Sequence, residues 1–281
     1  MVIYLESVKS INDINNLKFN KIVGNPKIDN STIIFKGKNN VLYCEKNVEM
    51  LGANIYFEAD NSIIYLSFTN NPYSFNALIY NNCTLFIGQK NNMGSSINFN
   101  IMENQNVIIG NDGEIGGGVS IRTSDSFPIY DGKTKKRINF ANSVFIGDHV
   151  LLSHLSYVSK GVKIGSGSII DNNSFIPHNT IIPSNTFCTG NPIKVKKENV
   201  FFTMDYVAFN KIEDSFASKD YKSNVFIYEF NNKETLDLNK VDEILKELNV
   251  EEKLEFIVKL FVKNKRKNRF FIKGFVNKSL I

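Results

Sequence analysis

Three histidines, His149, His154 and His178, are the side chains of this sequence that can exchange a proton near neutral pH. A suitably placed imidazole can act as a general base and take the proton of an alcohol hydroxyl. The sequence has no Cys/His cluster with zinc spacing, no phosphate-binding loop, no dinucleotide fingerprint and no nucleophile elbow. Acid–base chemistry at a histidine, without a metal, is therefore the chemistry to consider, and its position depends on the surrounding scaffold.

The scaffold follows from a six-residue repeat. Residues 146–193 divide into the hexads IGDHVL, LSHLSY, VSKGVK, IGSGSI, IDNNSF, IPHNTI, IPSNTF and CTGNPI. Each hexad opens with an aliphatic or thiol residue, and all but the last carry Val, Ser or Thr at the fifth position. Neither a helix nor a simple alternating strand has this period. A hexad repeat is typical of a parallel β-helix, in which short strands form the walls of a prism.

Three hexads make one coil, so the repeat predicts which side chains stack on one another. The predicted core columns are Ile146–Ile164–Ile182 and Leu152–Ile170–Cys188. An ordinary Ile-rich sandwich is the alternative, but eight consecutive matches make it a poor explanation.

A looser repeat precedes the hexads between about residues 31 and 108. Cys44, Leu66, Ile87 and Ile109 end equivalent apolar segments and lie 22, 21 and 22 residues apart. This spacing indicates longer β-helix coils with Asn at the corners, because Asn tolerates left-handed backbone conformations. A low-complexity segment is the alternative, against which the regular apolar strands argue.

The strict hexads are interrupted once. They begin at Ile109, stop after Ser126, and resume at Phe140 with FANSVF, which leaves FPIYDGKTKKRIN (127–139) as an excursion loop. Long excursions from a rigid scaffold often carry function, although a tolerated surface insertion is also possible.

The hexads end at Pro192, after which IKVKKENVFF is expected to leave the prism. Residues 200–232 could hold one or two strands, and apolar residues at helical spacing then predict helices over about 238–248 and 251–264. We therefore predict an N-terminal lead-in (1–30), a parallel β-helix domain (31–199) with the loop 127–139, and a mixed, mostly helical C-terminal region with a basic tail (200–281).

Composition narrows the class of protein. The chain has 281 residues, and no apolar run approaches the ~20 residues that span a bilayer. The N-terminus lacks a signal-peptide layout, and the three cysteines are expected to be buried thiols, so we expect a cytoplasmic protein. No nucleic-acid partner is expected.

The C-terminal tail is basic. Residues 253–281 contain nine Lys/Arg and one Glu, which favours weak contact of 253–281 with a membrane surface or polyanion, or else a solvated face of a helical cap.

The segments IRTSDSFPIYD, KKRIN, VFIGDHV, KGVKIG and TGNPIKVKKENV resemble the hexapeptide-repeat acetyltransferases, especially those that O-acetylate capsular or surface polysaccharides. The resemblance covers about residues 84–202 and implies a left-handed β-helix, usually in a homotrimer. It implies acetyl-CoA as co-substrate in a cleft between neighbouring prisms, and a histidine base acting on a sugar hydroxyl. The handedness rests on the resemblance, because parallel crossovers are normally right-handed.

The resemblance also implies where the CoA phosphates lie. They would be framed by Gly190, Asn191, Lys194, Lys196 and Lys197, in the segment that follows the last hexad. A charged strand exit is the alternative interpretation of these lysines.

Two landmark side chains of the family are replaced. Where the family has TSDSH, with its catalytic histidine last, this chain ends the motif with Phe127. Where the family has GDHVWIG, the tryptophan is Leu151. A phenylalanine cannot accept a proton, so the base must be elsewhere or absent.

Column arithmetic ranks the remaining histidines. With 127–139 removed, hexad 121–126 should stack beneath hexad 152–157, so that Thr123 and His154 share a column with Asn172 and Gly190. We therefore predict His154 as the first candidate base and His149, above Gly118, as the second; His178 should stack on Lys160 at another face. Outward-facing solenoid histidines are the alternative.

Asp125 could orient the imidazole or bind a sugar hydroxyl, or could simply cap the turn. The sequence thus favours an acetyl-CoA-dependent O-acetyltransferase that acts on a sugar hydroxyl of a bacterial surface glycan or its precursor. The alternative is an inactive scaffold or partner subunit whose site is filled by Phe127 and Leu151.

Overall fold

The computed structural model describes residues 4–205, 207, 211 and 218–274. Nearly all of the regular structure is β, arranged as about eight coils of a three-walled prism. The predicted fold class is confirmed: a mainly β, left-handed parallel β-helix with an excursion loop and a small α-rich C-terminal appendage.

Each wall is a sheet made of one short strand per coil. The first wall contains β1 (Glu6–Val8), β4 (Thr32–Phe35), β7 (Asn54–Phe57), β9 (Phe75–Ile79), β12 (Ile97–Ile101), β15 (Ser120–Arg122), β18 (Tyr157–Val158) and β21 (Phe175–Ile176). The second wall contains β2 (Lys21–Val23), β5 (Val41–Cys44), β8 (Ile63–Leu66), β10 (Thr84–Ile87), β13 (Asn106–Ile109), β16 (Val144–Ile146), β19 (Lys163–Ile164) and β22 (Ile181–Ile182).

The third wall is divided into two sheets. These contain β3 (Lys27–Asp29) with β6 (Glu49–Leu51), and then β11 (Asn92–Met93), β14 (Glu114–Ile115), β17 (Leu151–Leu152), β20 (Ile169–Ile170), β23 (Thr186–Thr189) and β24 (Lys194–Glu198). Strands β2 and β3 pair in parallel with β5 and β6, so the coils already begin within residues 1–30, which the sequence predicted as a lead-in. A 3₁₀ helix over Ile11–Asn16 precedes them.

The predicted core columns are confirmed. Ile146 pairs with Ile164 and Ile164 with Ile182, while Leu152 pairs with Ile170 and Ile170 with Cys188. In the first half, Cys44, Leu66, Ile87 and Ile109 stack in the same way. These side chains are at most 2% exposed, because the first position of each hexad points into the prism.

Asparagines form many of the corners, as predicted. Ten asparagines of the described chain have positive φ, a conformation that Asn tolerates better than most residues. They are Asn30, Asn39, Asn47, Asn61, Asn82, Asn104, Asn173, Asn179, Asn185 and Asn199.

The end of the prism differs from the prediction. The segment after Pro192 does not leave the wall; it turns back as β24 and pairs antiparallel with β23, which covers the last edge of the third wall. The strand considered within 223–230 is absent, since these described residues run as turns and irregular chain.

The appendage supplies both predicted helices. Helix α1 runs over Leu238–Glu247, where the Asp237 carboxylate accepts from the backbone N–H groups of Asn239 and Lys240. Helix α2 runs over Val250–Ile257 behind an Asn249 capping box and continues as a π-helical turn over Val258–Val262. Among the described residues, no helix combines the length and the hydrophobicity needed to cross a bilayer.

Both helices pack on the outer face of the second wall, which is why its strands β8, β10, β13 and β16 are buried on both sides. The shared cluster contains Val41, Ile63, Tyr65, Phe86, Ile108 and Phe145 from the wall and Leu238, Val241, Leu245, Val250, Ile257, Phe261 and Phe270 from the appendage. Arg269, 1% exposed, adds a bidentate ion pair to Asp148 of the prism, with Nε–Oδ2 at 2.9 Å and Nη2–Oδ1 at 2.7 Å.

A buried lysine makes the docking of α2 sensitive to pH. Lys253 has no exposed surface, and its ammonium donates to the Asn82 carbonyl at 2.5 Å and to its amide oxygen at 2.9 Å. Burial, the largest cause, lowers the pKa of Lys253 to about 8. The unfolded chain therefore binds more protons than the folded one between pH 8 and the ordinary pKa of lysine, and the stability contributed at this position rises with pH in that window.

We accordingly expect wild type to gain about 2 kcal/mol of unfolding free energy relative to Lys253→Met between pH 7 and pH 10. Urea unfolding at several pH values measures the difference. Lys240→Met, which removes an exposed lysine of α1, should show a flat difference over the same range. A flat profile for Lys253→Met as well would contradict the expected proton release.

Candidate active site

The stacking of the coils around the excursion loop differs from the predicted register. Ile109 pairs with Ile146, Ile115 with Leu152 and Ile121 with Val158, an offset of 37 residues. Hexad 121–126 therefore does not stack beneath 152–157, and that prediction is wrong. FANSVF resembles a hexad at its fifth position, but Phe140 is 63% exposed, and the chain re-enters the wall only at β16, one hexad later than predicted.

This offset moves the histidines relative to the TSDS turn, residues 123–126. His154 lies above Gly117 instead of Thr123, and His149 lies above Asp112 instead of Gly118. The register of β18 and β21 places His178 above Lys160, as predicted, and Lys160 above Thr123. The side chain one coil above the TSDS turn is thus a lysine.

The TSDS turn follows β15 and forms the corner between the first and second walls. Thr123 is fully buried, and its hydroxyl accepts the Met102 N–H at 2.9 Å, which fixes the turn to the coil below. Ser124 donates to the Glu103 carboxylate at 2.6 Å. Two of the four residues in the motif are therefore occupied in holding the corner.

Asp125 and Glu103 are both partly accessible acids of this corner, with side chains 37% and 36% exposed. Glu103 is paired with Arg137, and Asp125 with Lys160. The Asp125 Oδ2 accepts from the Lys160 ammonium at 2.5 Å and from the Asn139 amide at 3.0 Å. Lys160, and then Asn139, lower the pKa of Asp125 against the opposing effect of burial. Asp125 is accordingly held as a carboxylate, which can accept hydrogen bonds from hydroxyl groups but is a weak base.

The excursion loop is pinned at its base. Asn139 donates to the Phe127 carbonyl at 2.8 Å and accepts the Ile129 N–H at 2.6 Å. Arg137 forms an ion pair with Glu103 at 2.8 Å, and Lys160 donates to the Asn139 carbonyl at 3.2 Å. These contacts fix the backbone of residue 127, while its side chain is exposed to solvent.

The two replaced landmarks do not fill the corner. Phe127 is 79% exposed, and Leu151 is half-buried on the third wall between Glu114 and Ile169. The loop also exposes a run of large apolar side chains: Phe127, Ile129, Tyr130, Ile138 and Phe140. Neither Phe127 nor Leu151 therefore covers Asp125, which stays partly accessible beside the TSDS turn.

His154 lies at a different corner, between the third and first walls. Its imidazole is exposed, and its Nδ1 accepts the backbone N–H of Gly117 at 2.9 Å. Because Nδ1 is an acceptor here, the neutral ring carries its hydrogen on Nε2. To accept a proton at Nε2 the ring must first change tautomer, so this geometry is suboptimal for a general base.

His149 is a buried component of the appendage interface. It is 1% exposed, with Nδ1 at 3.0 Å from the Asp112 carbonyl and Nε2 at 2.9 Å from the Phe202 carbonyl. Its ring is sandwiched between the rings of Phe202 and Phe226 at 4.0 and 4.1 Å. Both nitrogens are engaged, so this surrounding does not support the predicted role of His149 as second candidate base.

The predicted cofactor segment lies on one edge of the prism. Gly190 has a φ of +109° at the corner that also carries His154, and Asn191 is exposed next to it. Lys194, Lys196 and Lys197 are exposed along β24. Their ammonium groups are absent from the ion pairs formed among the described residues, so they could receive phosphates.

The sequence did not indicate two residues of the TSDS corner, Lys160 and Asn139. Both were hidden by the assumption that hexads resume at Phe140. One signal was available: every other strict hexad opens with an aliphatic or thiol residue, and this one opens with an aromatic residue. Moving the restart to Ile146 would have placed Lys160 above Thr123.

The fold, the hexad repeat and the TSDS corner define the class of protein: the chain has the architecture of the hexapeptide-repeat acetyltransferases, and the predicted resemblance is confirmed. It is 30% identical over 125 residues to a polysialic acid O-acetyltransferase of Neisseria meningitidis, a match that covers 44% of this chain and 58% of that one. A second polysialic acid O-acetyltransferase, from Escherichia coli O1:K1 / APEC, is 30% identical over 118 residues, 42% of this chain and 38% of its own. The chain thus matches less than two thirds of the length of either relative.

Solved structures agree with this class. The crystal structure of the polySia-specific acetyltransferase NeuO superposes with a TM-score of 0.58 and 28% identity, covering 71% of this chain and 94% of that one. The polysialic acid O-acetyltransferase OatWY superposes with a TM-score of 0.62 at 23% identity, over 72% and 96%, and shows the shared fold. No known protein-family model matches the chain.

Proposed function

We propose that this chain transfers an acetyl group from acetyl-CoA to a hydroxyl of a bacterial surface polysaccharide or its precursor. The observation that carries the proposal is the TSDS corner, where a partly exposed, ionised Asp125 lies at the base of a pinned loop. The relatives named polysialic acid O-acetyltransferases support the reaction type and the class of acceptor.

The reaction needs three contributions from the protein. The sugar oxygen attacks the thioester carbonyl, the bond between oxygen and acyl carbon forms, and the bond between carbon and sulfur breaks. A base takes the hydroxyl proton and returns it to the departing sulfur.

Asp125 is proposed to orient the acceptor by accepting hydrogen bonds from the hydroxyl groups of the sugar, and Lys160 is proposed to hold Asp125 in position. Gly190, Asn191 and the exposed lysines Lys194, Lys196 and Lys197 are proposed to receive the CoA phosphates.

His154 is the proposed base. In one chain it lies at the other edge of the first wall from Asp125, so it is proposed to act on an acceptor held by Asp125 of a neighbouring copy, and its contribution is expected to be modest. Its exposed ring can turn away from Gly117, at the cost of one hydrogen bond, and then accept a proton. We expect His154→Ala to lower the acetyl-transfer rate by about tenfold, below the usual effect of a well-placed base. Thiol release from acetyl-CoA in the presence of a sialic acid oligomer measures this rate.

His178→Ala is the matched control. His178 is also exposed, on the column of Lys160, and its removal should leave the rate unchanged. An unchanged rate in His154→Ala would remove His154 from the mechanism without excluding the reaction itself.

A homotrimer is proposed as the working assembly. The apolar side chains of the excursion loop are mostly exposed in one chain, and such a patch marks a protein–protein interface. The second wall is already covered by the appendage, so the first and third walls remain for contact with other copies. Sedimentation equilibrium measures the assembly.

The cytoplasm is the proposed compartment of the reaction. Cys44, Cys83 and Cys188 are free thiols, which is consistent with a reducing compartment.

An inactive scaffold or partner subunit is the second candidate. It is favoured by Phe127 in place of the family histidine, by Leu151 in place of the tryptophan, and by the engagement of His154 Nδ1. This candidate predicts no thioester cleavage with any glycan acceptor. A measurable rate that falls in His154→Ala would exclude it.

A further inference from the structure

A second cleft lies away from the TSDS corner, between the prism and the appendage. Its volume is about 670 Å³, within the range of ligand-binding pockets. One side is the corner between the second and third walls, and the other side is formed by residues 264–267 and 225–228 of the appendage. We refer to it as the basic cleft, after four lining residues: Lys90, Lys265, Arg266 and Lys267.

The charge of the basic cleft is not neutralised. All four cationic side chains are exposed, and among the described residues none forms an ion pair with a carboxylate. Lys265 donates to the Gln89 amide oxygen at 2.9 Å, and Lys267 donates to the Asn224 carbonyl at 2.8 Å. These bonds to neutral oxygens hold the ammonium groups at the cleft without reducing their charge.

The acids of the cleft offset little of this charge. Asp148 is paired with Arg269, which leaves Asp112 as the acid facing the four cations. The ligand of such a site is therefore anionic. Converging positive charge in a concave surface also attracts anions from solution.

The remaining lining indicates a sugar. The amide side chains of Asn70 and Asn111 line the wall. Asn70 donates to the Lys90 carbonyl and Asn111 accepts the Gln89 N–H, which leaves Asn70 Oδ1 and Asn111 Nδ2 outside the hydrogen bonds given for the described residues, as an acceptor and a donor for hydroxyl groups. The aromatic faces are already covered, since Phe226 stacks on His149 and Tyr228 lies between Lys267 and the backbone of Gly167. The cleft thus has no free aromatic platform for a nucleobase, and its concave shape does not suit a flat membrane surface.

We propose that the basic cleft binds a carboxylated stretch of the acceptor glycan as a second site, separate from the TSDS corner. This inference rests on the proposed function, because it takes the acceptor to be an anionic polysaccharide. The two sites lie at opposite edges of the second wall, whose outer face carries the appendage, so a polymer that joins them runs over the appendage. A polymer can occupy both, whereas a short acceptor reaches one.

The test compares two double charge reversals by titration with a long sialic acid oligomer at low and high salt. Lys265→Glu/Lys267→Glu changes the cleft, and Lys240→Glu/Lys259→Glu makes the same charge change on exposed helical positions of the appendage outside it. We expect the first variant to weaken binding by at least about tenfold and the second by less than about twofold. Binding by wild type should weaken with salt, and a neutral maltose oligomer should not bind.

The second readout is acetylation. The cleft variant should raise the KM for the long oligomer and leave kcat with a sialic acid dimer unchanged. Equal weakening in both double variants would overturn the proposal, because bulk charge would then explain the binding. It would also be overturned if the cleft variant lost binding to phosphatidylserine vesicles while still binding the oligomer. Binding without any acetyl transfer would refute the proposed activity and leave the cleft intact.

Discussion

Replacing Phe127 by histidine is expected to raise the rate of acetyl transfer by about 100-fold or more, because a well-placed general base contributes 10²–10⁴-fold. The substitution restores the TSDSH motif of the resembling family at a residue whose backbone is fixed by Asn139. Phe127 is 79% exposed, so no core packing is lost when the ring changes. The rate should fall as the pH drops through about 6.5, where the new imidazole becomes protonated.

The matched control is Phe140→His, which makes the same change at a side chain 63% exposed near the other end of the loop. This variant should behave as wild type. In the Phe127→His background, removing His154 should no longer matter, because the restored base takes over the proton. Equal rates in Phe127→His and wild type would mean that the missing histidine does not limit the rate of acetyl transfer. This result would favour the second candidate function, an inactive scaffold or partner subunit.

Replacing Arg269 by leucine is expected to lower the unfolding free energy by about 3–5 kcal/mol, since it strands a buried carboxylate. Arg269 makes two bonds to Asp148 and further bonds to the Phe261 and Asn264 carbonyls, all within the appendage interface. Asp148 keeps the Asn111 N–H at 2.7 Å but loses its counter-charge. Urea unfolding gives the free energy, and hydrogen exchange in α1 and α2 should increase first.

Arg266→Leu is the control for this experiment, because Arg266 is exposed and donates to the Lys233 carbonyl without an ion pair among the described residues. The Arg266→Leu substitution should lower the unfolding free energy by less than about 1 kcal/mol. Combining Arg269→Leu with Asp148→Asn should recover part of the loss, since the stranded charge is removed as well. A loss below 1 kcal/mol for Arg269→Leu would show that the pair does not anchor the appendage.

The sequence predicted the parts of the fold that depend on periodicity. The columns through Ile164 and Ile170 follow from counting, because a solenoid repeats its inward position at every coil. Helix α1 follows from the helical spacing of its apolar residues. In each case the determining interactions are between near neighbours or between equivalent positions of adjacent coils.

What the sequence could not provide are contacts that no repeat specifies. The length of the excursion loop is ambiguous where FANSVF imitates a hexad, and this single error placed His154 above Thr123 in the prediction, whereas the structure has it above Gly117. The Arg269–Asp148 pair joins residues 121 positions apart, and nothing local to either one indicates the other. The stacking of Phe202 and Phe226 on His149 is likewise a contact between residues far apart in the sequence, which no repeat indicates.

The apolar outer face of the second wall has a consequence for truncated forms of the chain. If the segment from 236 onward were removed, Ile63, Tyr65, Phe86, Ile108 and Phe145 would meet water side by side along a flat, regular sheet. Such a surface favours aggregation of the chain during synthesis or after proteolytic cleavage. The C-terminal helices would in that respect protect the prism from aggregation, because they cover an apolar sheet face that is otherwise exposed to water.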